Sequence, residues 1–313
     1  MKLEHEATRG LGRLIYDVEV SRVAKYEDPL VRRESLIQID SSGAKTPLIS
    51  RSSGTATFFN NRTRATEKLP MAESLSETAL HEFVRIGNPA LPQRKYQKCL
   101  GRFEVFKHFD TGPNAPVRSA CVTSYDRWLF ADGSNLTQYL HTLTAESKEF
   151  RANLRAAMDA AFAGEFEEAI FAPVADQRIQ LKIRWKHLKK PRSASELSDG
   201  TIRFLYLISI LLDPEPPPLI AIDEPETGLH PRMMAIIAEL AVEASRRTQV
   251  IFVTHSPDFL DAFGHDAPLS TTVMELADGK SQLHMPTESE LRHWLSEYSL
   301  GEIFRSGTLE GLV

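Results

Sequence analysis

Two adjacent acidic residues, Asp223 and Glu224, directly follow the unbroken apolar run Leu219-Ile-Ala-Ile222. Such a run is typical of a parallel strand buried on both faces, and ligands of open parallel sheets bind at the carboxyl ends of the strands. Adjacent strand residues point in opposite directions, so the two carboxylates can have different roles. One can hold Mg²⁺ through water, and the other can deprotonate an attacking water. The alternative is an acidic turn that caps the next helix.

A second candidate site lies at a predicted helix start, in the segment Glu196-Leu-Ser-Asp-Gly-Thr201. Ser198 can cap this helix, and Gly200 lets a phosphate approach the backbone closely. The free N–H groups and the dipole at a helix start attract anions. By itself, the segment is also typical of a simple helix cap.

A histidine follows a second apolar run, in the segment Val250-Ile-Phe-Val-Thr-His-Ser-Pro257. If both runs are parallel strands of one sheet, His255 lies beside Asp223 and Glu224 at the carboxyl edge. There it can hydrogen-bond a γ-phosphate or the attacking water. A histidine at a strand end is otherwise usually structural.

The elements that position these residues follow from the hydrophobic pattern. Residues 201–212 are apolar nearly all round, which predicts a buried helix that ends before the proline-rich stretch 214–218. Pro231 begins an amphipathic helix between the two apolar runs. A strand, a helix and a strand at this spacing predict a right-handed crossover and a parallel sheet.

The rest of the chain divides into segments of different character. The first third shows alternating, strand-like patterns, with a helix predicted over 73–85 and one strand over Phe103–Phe109. We expect four segments: a β-rich lobe with a helix and long loops at 1–125, a helical segment plus a basic strand at 126–192, an α/β core at 193–285, and a helical tail at 286–313.

Together, these segments resemble the C-terminal part of an ABC-type ATPase of the RecF- and SMC-like branch, and within it the predicted AAA-type ATPases of prokaryotes. Leu197-Ser-Asp-Gly-Thr201 resembles the signature motif, and Leu219–Glu224 resembles Walker B. Glu226–His230 resembles the D-loop, and His255 resembles the switch histidine. The motif order also matches, with 23 residues from Gly200 to Asp223 and 32 from Asp223 to His255.

The resemblance implies an α/β P-loop NTPase fold of ABC type, with the β-rich lobe and a helical insertion, and a dimer that sandwiches ATP and Mg²⁺. It implies that Glu224 is the general base, that Asp223 holds the metal through water, and that His255 contacts the γ-phosphate. The remaining nucleotide-binding residues that it implies are Ser198, Asp199, Gly200, Gly228 and His230.

The chain departs from the family in one respect, since it contains no Walker A loop of the form GxxxxGK[ST]. The nearest sequence, Ile39-Asp-Ser-Ser-Gly-Ala-Lys-Thr46, lacks the required glycines and lies in a predicted β-meander. We therefore expect the fold to be N-terminally incomplete, through a missed upstream start or a gene fragment.

Two functions stay open. The first is an ATPase that acts on DNA or a partner protein, in DNA repair or antiphage defence. The second is a non-catalytic or truncated subunit that dimerises with and regulates a complete ATPase.

Residues 178–192 contain seven basic side chains and no acidic one. Lys182, Arg184 and Lys186 lie on one face of a predicted strand and are candidates for contact with DNA phosphates. The alternative is the solvated face of an amphipathic strand.

Composition excludes several classes of protein. The 313 residues are 42% hydrophobic and 25% charged with a net charge of −5, which is ordinary for a globular chain. Two cysteines without a CxxC pair argue against a disulfide framework or a structural zinc site and favour the cytoplasm. The mostly apolar stretch Phe204–Leu212, which contains Ser209, is too short to cross a membrane, so no membrane partner is expected.

Overall fold

The structure is a computed structural model that describes most of the chain. The described residues are 2–5, 13–21, 30–52, 55–60, 62–69, 77–86, 93, 96–97, 100–264, 269–277, 280–286, 294–295 and 297–307. They form two compact units, Met1–Arg102 and Phe103–Val313. The first residues of the helix predicted over 73–85 and much of the predicted tail 286–313 lie outside the described residues.

The described residues of the first unit include a six-stranded antiparallel meander in sequence order and a helix that packs on it. Its elements are β1 (Lys2–His5), β2 (Arg13–Ser21), β3 (Leu30–Ile39), β4 (Lys45–Ser52), β5 (Thr55–Asn60), β6 (Ala65–Leu69) and α1 (Ala79–Ile86).

A buried carboxylate fixes the helix of this unit to its sheet. Glu34 on β3 accepts hydrogen bonds from the backbone N–H groups of Ala79 and Leu80, at 2.5 and 2.9 Å. The Tyr16 hydroxyl donates to the same carboxylate at 2.9 Å. A carboxylate at a helix start satisfies free N–H groups and interacts favourably with the helix dipole.

The described residues of the second unit include three sheets, six α-helices and two short 3-10 helices, Pro116–Arg118 and Ala194–Glu196. Its strands are β7 (Glu104–Phe106), β8 (Cys121–Val122), β9 (Phe166–Val174), β10 (Arg178–Trp185), β11 (Arg192–Ser193), β12 (Leu219–Asp223), β13 (Gln249–Val253), β14 (Val273–Ala277) and β15 (Lys280–His284). Its helices are α2 (Leu136–Glu146), α3 (Lys148–Ala161), α4 (Asp199–Leu211), α5 (Pro231–Ala244), α6 (Pro257–Asp261) and α7 (Leu300–Arg305).

The central sheet of this unit has the order β13-β12-β7, and all its strands are parallel. A second sheet is antiparallel around β10, which pairs with β8, β9 and β11, and β14 pairs with β15 in a hairpin. One hydrophobic core joins the central sheet to helices α2 to α5. Helix α4 is the centre of this core, since most of its side chains are buried.

The structure confirms the parallel pairing of the two apolar runs and the buried helix that precedes them. It differs from expectation at the predicted strand Phe103–Phe109, which was assigned to the β-rich lobe at 1–125. The observed strand, β7, pairs in parallel with β12, and the contacts divide the chain after Arg102. The helices of the predicted helical segment likewise share the core of the central sheet. Such pairings join distant parts of the chain, and local hydrophobic patterns do not encode them.

Candidate functional site

The carboxyl ends of β12 and β13 bring the acidic pair and the histidine together, as the sequence predicted. Asp223 lies opposite Val253 in the parallel register, so the residues that follow each strand are neighbours. The Nε2 atom of His255 lies 3.8 Å from Oε1 of Glu224. The histidine side chain is 78% exposed and the glutamate side chain 37%, so both are open to a ligand in solution.

The backbone of Glu224 is held in an unusual conformation. Its φ is +47°, in the left-handed region that costs a non-glycine residue about 1–2 kcal/mol. Its N–H group donates to the carbonyl oxygen of Val253 at 2.8 Å. Its carbonyl oxygen accepts a hydrogen bond of 2.7 Å from Nη2 of Arg203, on the buried helix α4. Hydrogen bonds at both ends of the residue therefore fix the backbone of Glu224 and the direction of its Cα–Cβ bond.

A third carboxylate, from Glu226, completes this acidic edge. Its Oε1 atom accepts a hydrogen bond of 2.7 Å from the Thr254 hydroxyl, and its Oε2 atom is buried without a partner among the described residues. Burial and the nearby Glu226 carboxylate raise the pKa of Glu224, whereas His255 acts in the opposite direction. A raised pKa makes the Glu224 carboxylate a better proton acceptor.

The start of α4 has the capped geometry that the sequence predicted. The Ser198 hydroxyl accepts a hydrogen bond of 3.2 Å from the Thr201 N–H group. There is no room for a side chain at Gly200, because a Cβ atom there would lie 2.5 Å from the carbonyl oxygen of Gly228. The start of α4 and the turn after β12 are therefore in close contact.

The loop before α4 is held by a buried arginine. Arg118 donates from Nη1 to the carbonyl oxygens of Ala194 and Leu197, at 3.0 and 2.8 Å, and from Nε to that of Thr111, at 2.9 Å. Its Nη2 atom forms an ion pair with Asp199, the first residue of α4. The Arg118 guanidinium partly neutralises the Asp199 carboxylate in this ion pair. An unpaired carboxylate at the helix start would repel a bound anion.

The two other predicted nucleotide-binding residues follow β12. Gly228 is exposed and has a φ of +72°, a conformation that favours glycine. His230 is exposed and precedes α5, where its Nδ1 atom accepts a hydrogen bond of 3.2 Å from the Arg232 N–H group. His230 therefore acts as a helix cap in this structure, and a role for either residue in nucleotide binding stays a prediction.

The basic strand has the predicted alternation, with Ile179, Leu181, Ile183 and Trp185 buried. Two of its three candidate residues are paired with acids: Arg184 bonds Glu168 at 3.0 Å, and Lys186 lies 3.5 Å from Asp159. These acids lie on β9 and α3, outside the segment whose charge was counted in sequence. They reduce the positive potential of the strand, and DNA binding there stays a prediction.

The residues at the acidic edge fit a magnesium ion that also binds phosphate. The described residues contain no group of three His, Cys, Asp or Glu side chains arranged to hold a metal by themselves. Mg²⁺ is commonly bound through one or two carboxylates, water and substrate phosphates, so the single half-buried carboxylate of Asp223 suits it.

Sequence reasoning missed Arg118 and Arg203. Arg203 lies in an otherwise apolar helix, and a single cation within a buried run was the available signal. Arg118 gave no such signal, because its partners are backbone carbonyl groups far along the chain.

Comparison with known proteins gives a match over the part of the chain that carries this site. Residues 145–261 match the family described as "AAA domain, putative AbiEii toxin, Type IV TA system". The matched range includes Ser198, Asp223, Glu224 and His255. The match and the observed parallel sheet support an α/β fold of the P-loop NTPase type and an AAA-type ATPase relationship for this segment.

The DNA repair protein RecN of Haemophilus influenzae (strain ATCC 51907 / DSM 11121 / KW20 / Rd) is 29% identical over 123 residues, which are 39% of this chain and 21% of RecN. The chain thus spans about a fifth of the length of this curated relative.

Two solved structures of SMC heads are also similar. An SMC head bound to the C-winged helix domain of ScpA is 12% identical with a TM-score of 0.45, over 90% of this chain and 75% of that chain. An Smc head domain from Pyrococcus furiosus, bound to the C-terminal domain of ScpA, is 17% identical with a TM-score of 0.39, over 51% and 39%. Among the described residues, no helix has the length and apolar character that crossing a membrane requires.

Proposed function

We propose that this protein binds ATP and hydrolyses it to ADP and phosphate, as an ATPase of the RecF- and SMC-like branch of the ABC type in the cytoplasm. The observation that carries the proposal is the meeting of Asp223, Glu224 and His255 at the carboxyl edge of a parallel sheet. Mg²⁺, when bound, neutralises phosphate charge and orients the phosphates.

Each residue at this edge has a role that its surroundings support. Glu224 accepts a proton from the attacking water, because it is partly exposed, has a raised pKa and is fixed at both ends of its backbone. His255, exposed beside Glu224, donates a hydrogen bond to the γ-phosphate. Asp223 holds the metal through water.

The start of α4 contacts the γ-phosphate of the nucleotide bound to a partner subunit. Ser198 is the capping residue and its hydroxyl takes up the Thr201 N–H group, so the N–H groups of Asp199 and Gly200 are the ones at this helix start that can face an anion. The ion pair between Asp199 and Arg118 lowers the repulsion of an incoming phosphate. The assembly that this requires is a homodimer or a pair with a complete ATPase, and its client is DNA or another protein.

The central sheet has an exposed face that can receive a phosphate-binding segment. Val105, Ile251 and Val253 lie on this face and are 45%, 39% and 48% exposed, whereas parallel sheets are usually covered on both faces. A further strand paired alongside this sheet, with a helix covering the exposed face, would bring a phosphate-binding loop to the edge that carries Asp223. If this segment comes from another chain, the second candidate function applies: a subunit that dimerises with and regulates a complete ATPase.

The test is ATP turnover by this chain beside Glu224→Gln, with Glu243→Gln as the matched control. Glu243 is an exposed glutamate that pairs with Arg246 on the solvent side. Turnover that is lost in Glu224→Gln and kept in Glu243→Gln supports the proposal. Equal turnover in both variants contradicts the assignment of Glu224. No turnover in any of them, even with a Walker A-bearing partner, contradicts the ATPase and favours the regulatory subunit.

A further inference from the structure

Arg203 is a half-buried cation that the proposed chemistry does not use directly. It is the basic residue of the largely apolar helix α4, whose first residue is Asp199, and burial lowers the pKa of its guanidinium. Its Nε atom is buried and has no hydrogen-bond partner among the described residues. Burying a guanidinium with an unsatisfied donor is unfavourable, and the nearby carboxylates of Glu226 and Glu224 offset this cost, so Arg203 interacts electrostatically with the acidic edge.

The guanidinium of Arg203 donates a hydrogen bond to the backbone of the acidic edge. Nη2 of Arg203 donates to the carbonyl oxygen of Glu224, which also accepts from the Thr227 N–H group at 3.3 Å. Arg203 therefore holds the peptide group between Glu224 and the following turn. It does so from a helix that is otherwise packed into the core.

The same helix carries the residues that face a phosphate in the proposed function. Arg203 follows Ser198 by five residues, which is about 7.5 Å along the axis of an α-helix. Buried side chains surround this stretch, so the capped start of α4 and Arg203 move as one body. A shift of the helix start is thus transmitted to the Glu224 carbonyl group.

We propose that Arg203 is a positioning residue that couples the phosphate-facing start of α4 to the orientation of Glu224. The proposal deepens the proposed function and rests on it for the identity of the phosphate. Engagement of α4 by the nucleotide of a partner subunit then sets the geometry of the general base in this chain's own site.

The experiment compares backbone hydrogen exchange in the full chain for Arg203→Met, Arg203→Lys and Arg155→Met. Arg155 lies on the exposed face of α3 and is the matched control. In Arg203→Met we expect exchange at Glu224 and Thr227 to accelerate about ten- to a hundredfold, the range for loss of a hydrogen bond to a charged group. Exchange in β10 should be unchanged, Arg203→Lys should recover part of the protection, and Arg155→Met should match the wild type.

A second substitution tests the coupling itself. Ser198→Ala removes the cap of α4, and we expect it to accelerate exchange at Glu224 only when Arg203 is present. Unchanged exchange at Glu224 in Arg203→Met, equal acceleration in β10, or an equal effect of Ser198→Ala in both backgrounds would each overturn the proposal.

ATP turnover distinguishes this proposal from the proposed function. If the protein hydrolyses ATP, Arg203→Met should lower kcat and leave KM unchanged, with partial recovery in Arg203→Lys, whereas an unchanged kcat would overturn the coupling. If no variant hydrolyses ATP, the proposed function fails, and the exchange experiment still decides whether Arg203 links α4 to Glu224.

Discussion

The clearest test of how the site is built is Arg118→Met. The methionine keeps an unbranched side chain of similar length but removes every donor, so the buried carbonyl oxygens of Ala194 and Leu197 lose their charged partner. The Ala194 carbonyl oxygen still accepts from the Leu197 N–H group at 3.3 Å, so the full cost of an unsatisfied acceptor, about 1–3 kcal/mol, applies to the Leu197 carbonyl oxygen, and the other lost hydrogen bonds add about 1 kcal/mol. The ion pair with Asp199 adds little, because that carboxylate is 70% exposed. We expect a loss of about 3 kcal/mol in the free energy of unfolding.

Tryptophan fluorescence is a suitable probe, because Trp128, Trp185 and Trp294 all belong to the second unit. For a unit of this size, each kcal/mol lowers Tm by about 2–4 °C, so Arg118→Met should melt about 6–12 °C below the wild type. Arg155→Met, at an exposed arginine of α3, should melt at the wild-type temperature. Equal Tm values for the two variants would refute the conclusion that Arg118 organises the start of α4.

Three further predictions follow from local geometry. Gly200→Ala should lower the free energy of unfolding by about 1 kcal/mol, because crowding of the Gly228 carbonyl oxygen, at about 1–3 kcal/mol, exceeds the helix-forming gain of roughly 0.5–1 kcal/mol. In the control variant Gly112→Ala, the new methyl group meets only a flexible side chain. Equal Tm values for the two variants would contradict this prediction. Burial raises the pKa of Asp213 in the folded state above its ordinary value of 3.8. The protonated carboxyl therefore stabilises the folded state fully below that pH, and this stabilisation is lost as the pH rises through the folded pKa. The Tm of the wild type should fall relative to that of Asp213→Asn over this pH range, and parallel curves of Tm against pH would disprove the prediction. Lys182→Glu combined with Lys186→Glu should weaken retention on DNA and flatten its salt dependence, and unchanged retention at low salt would remove DNA binding by β10.

Much of the candidate site could be predicted from sequence because its residues lie next to strong local patterns. The apolar runs predicted β12 and β13, and the carboxyl ends of parallel strands necessarily lie at one edge. Asp223, Glu224 and His255 could therefore be brought together without coordinates. Ser198 was predicted as a helix cap from residue type alone, and its hydroxyl does cap α4.

Charge counted along the sequence was less informative. The segment 178–192 contains only basic charges, yet Arg184 and Lys186 are paired with acids on β9 and α3. The pairing of β9 with β10 decides which charges become neighbours. Strand β9 itself was missed, because its residues do not alternate clearly between polar and apolar.

The sequence by itself determined which side chains meet at the sheet edge, since residue type and strand periodicity are local properties of the chain. Tertiary structure decided what holds those side chains in place. Arg203 reaches the Glu224 carbonyl group from another element, and Arg118 holds a loop more than 70 residues away in sequence. The Gly228 carbonyl group lies so close to Gly200 that a residue with a side chain would clash with it there. These contacts depend on how helices and turns pack in space, and no periodicity in the sequence records that packing.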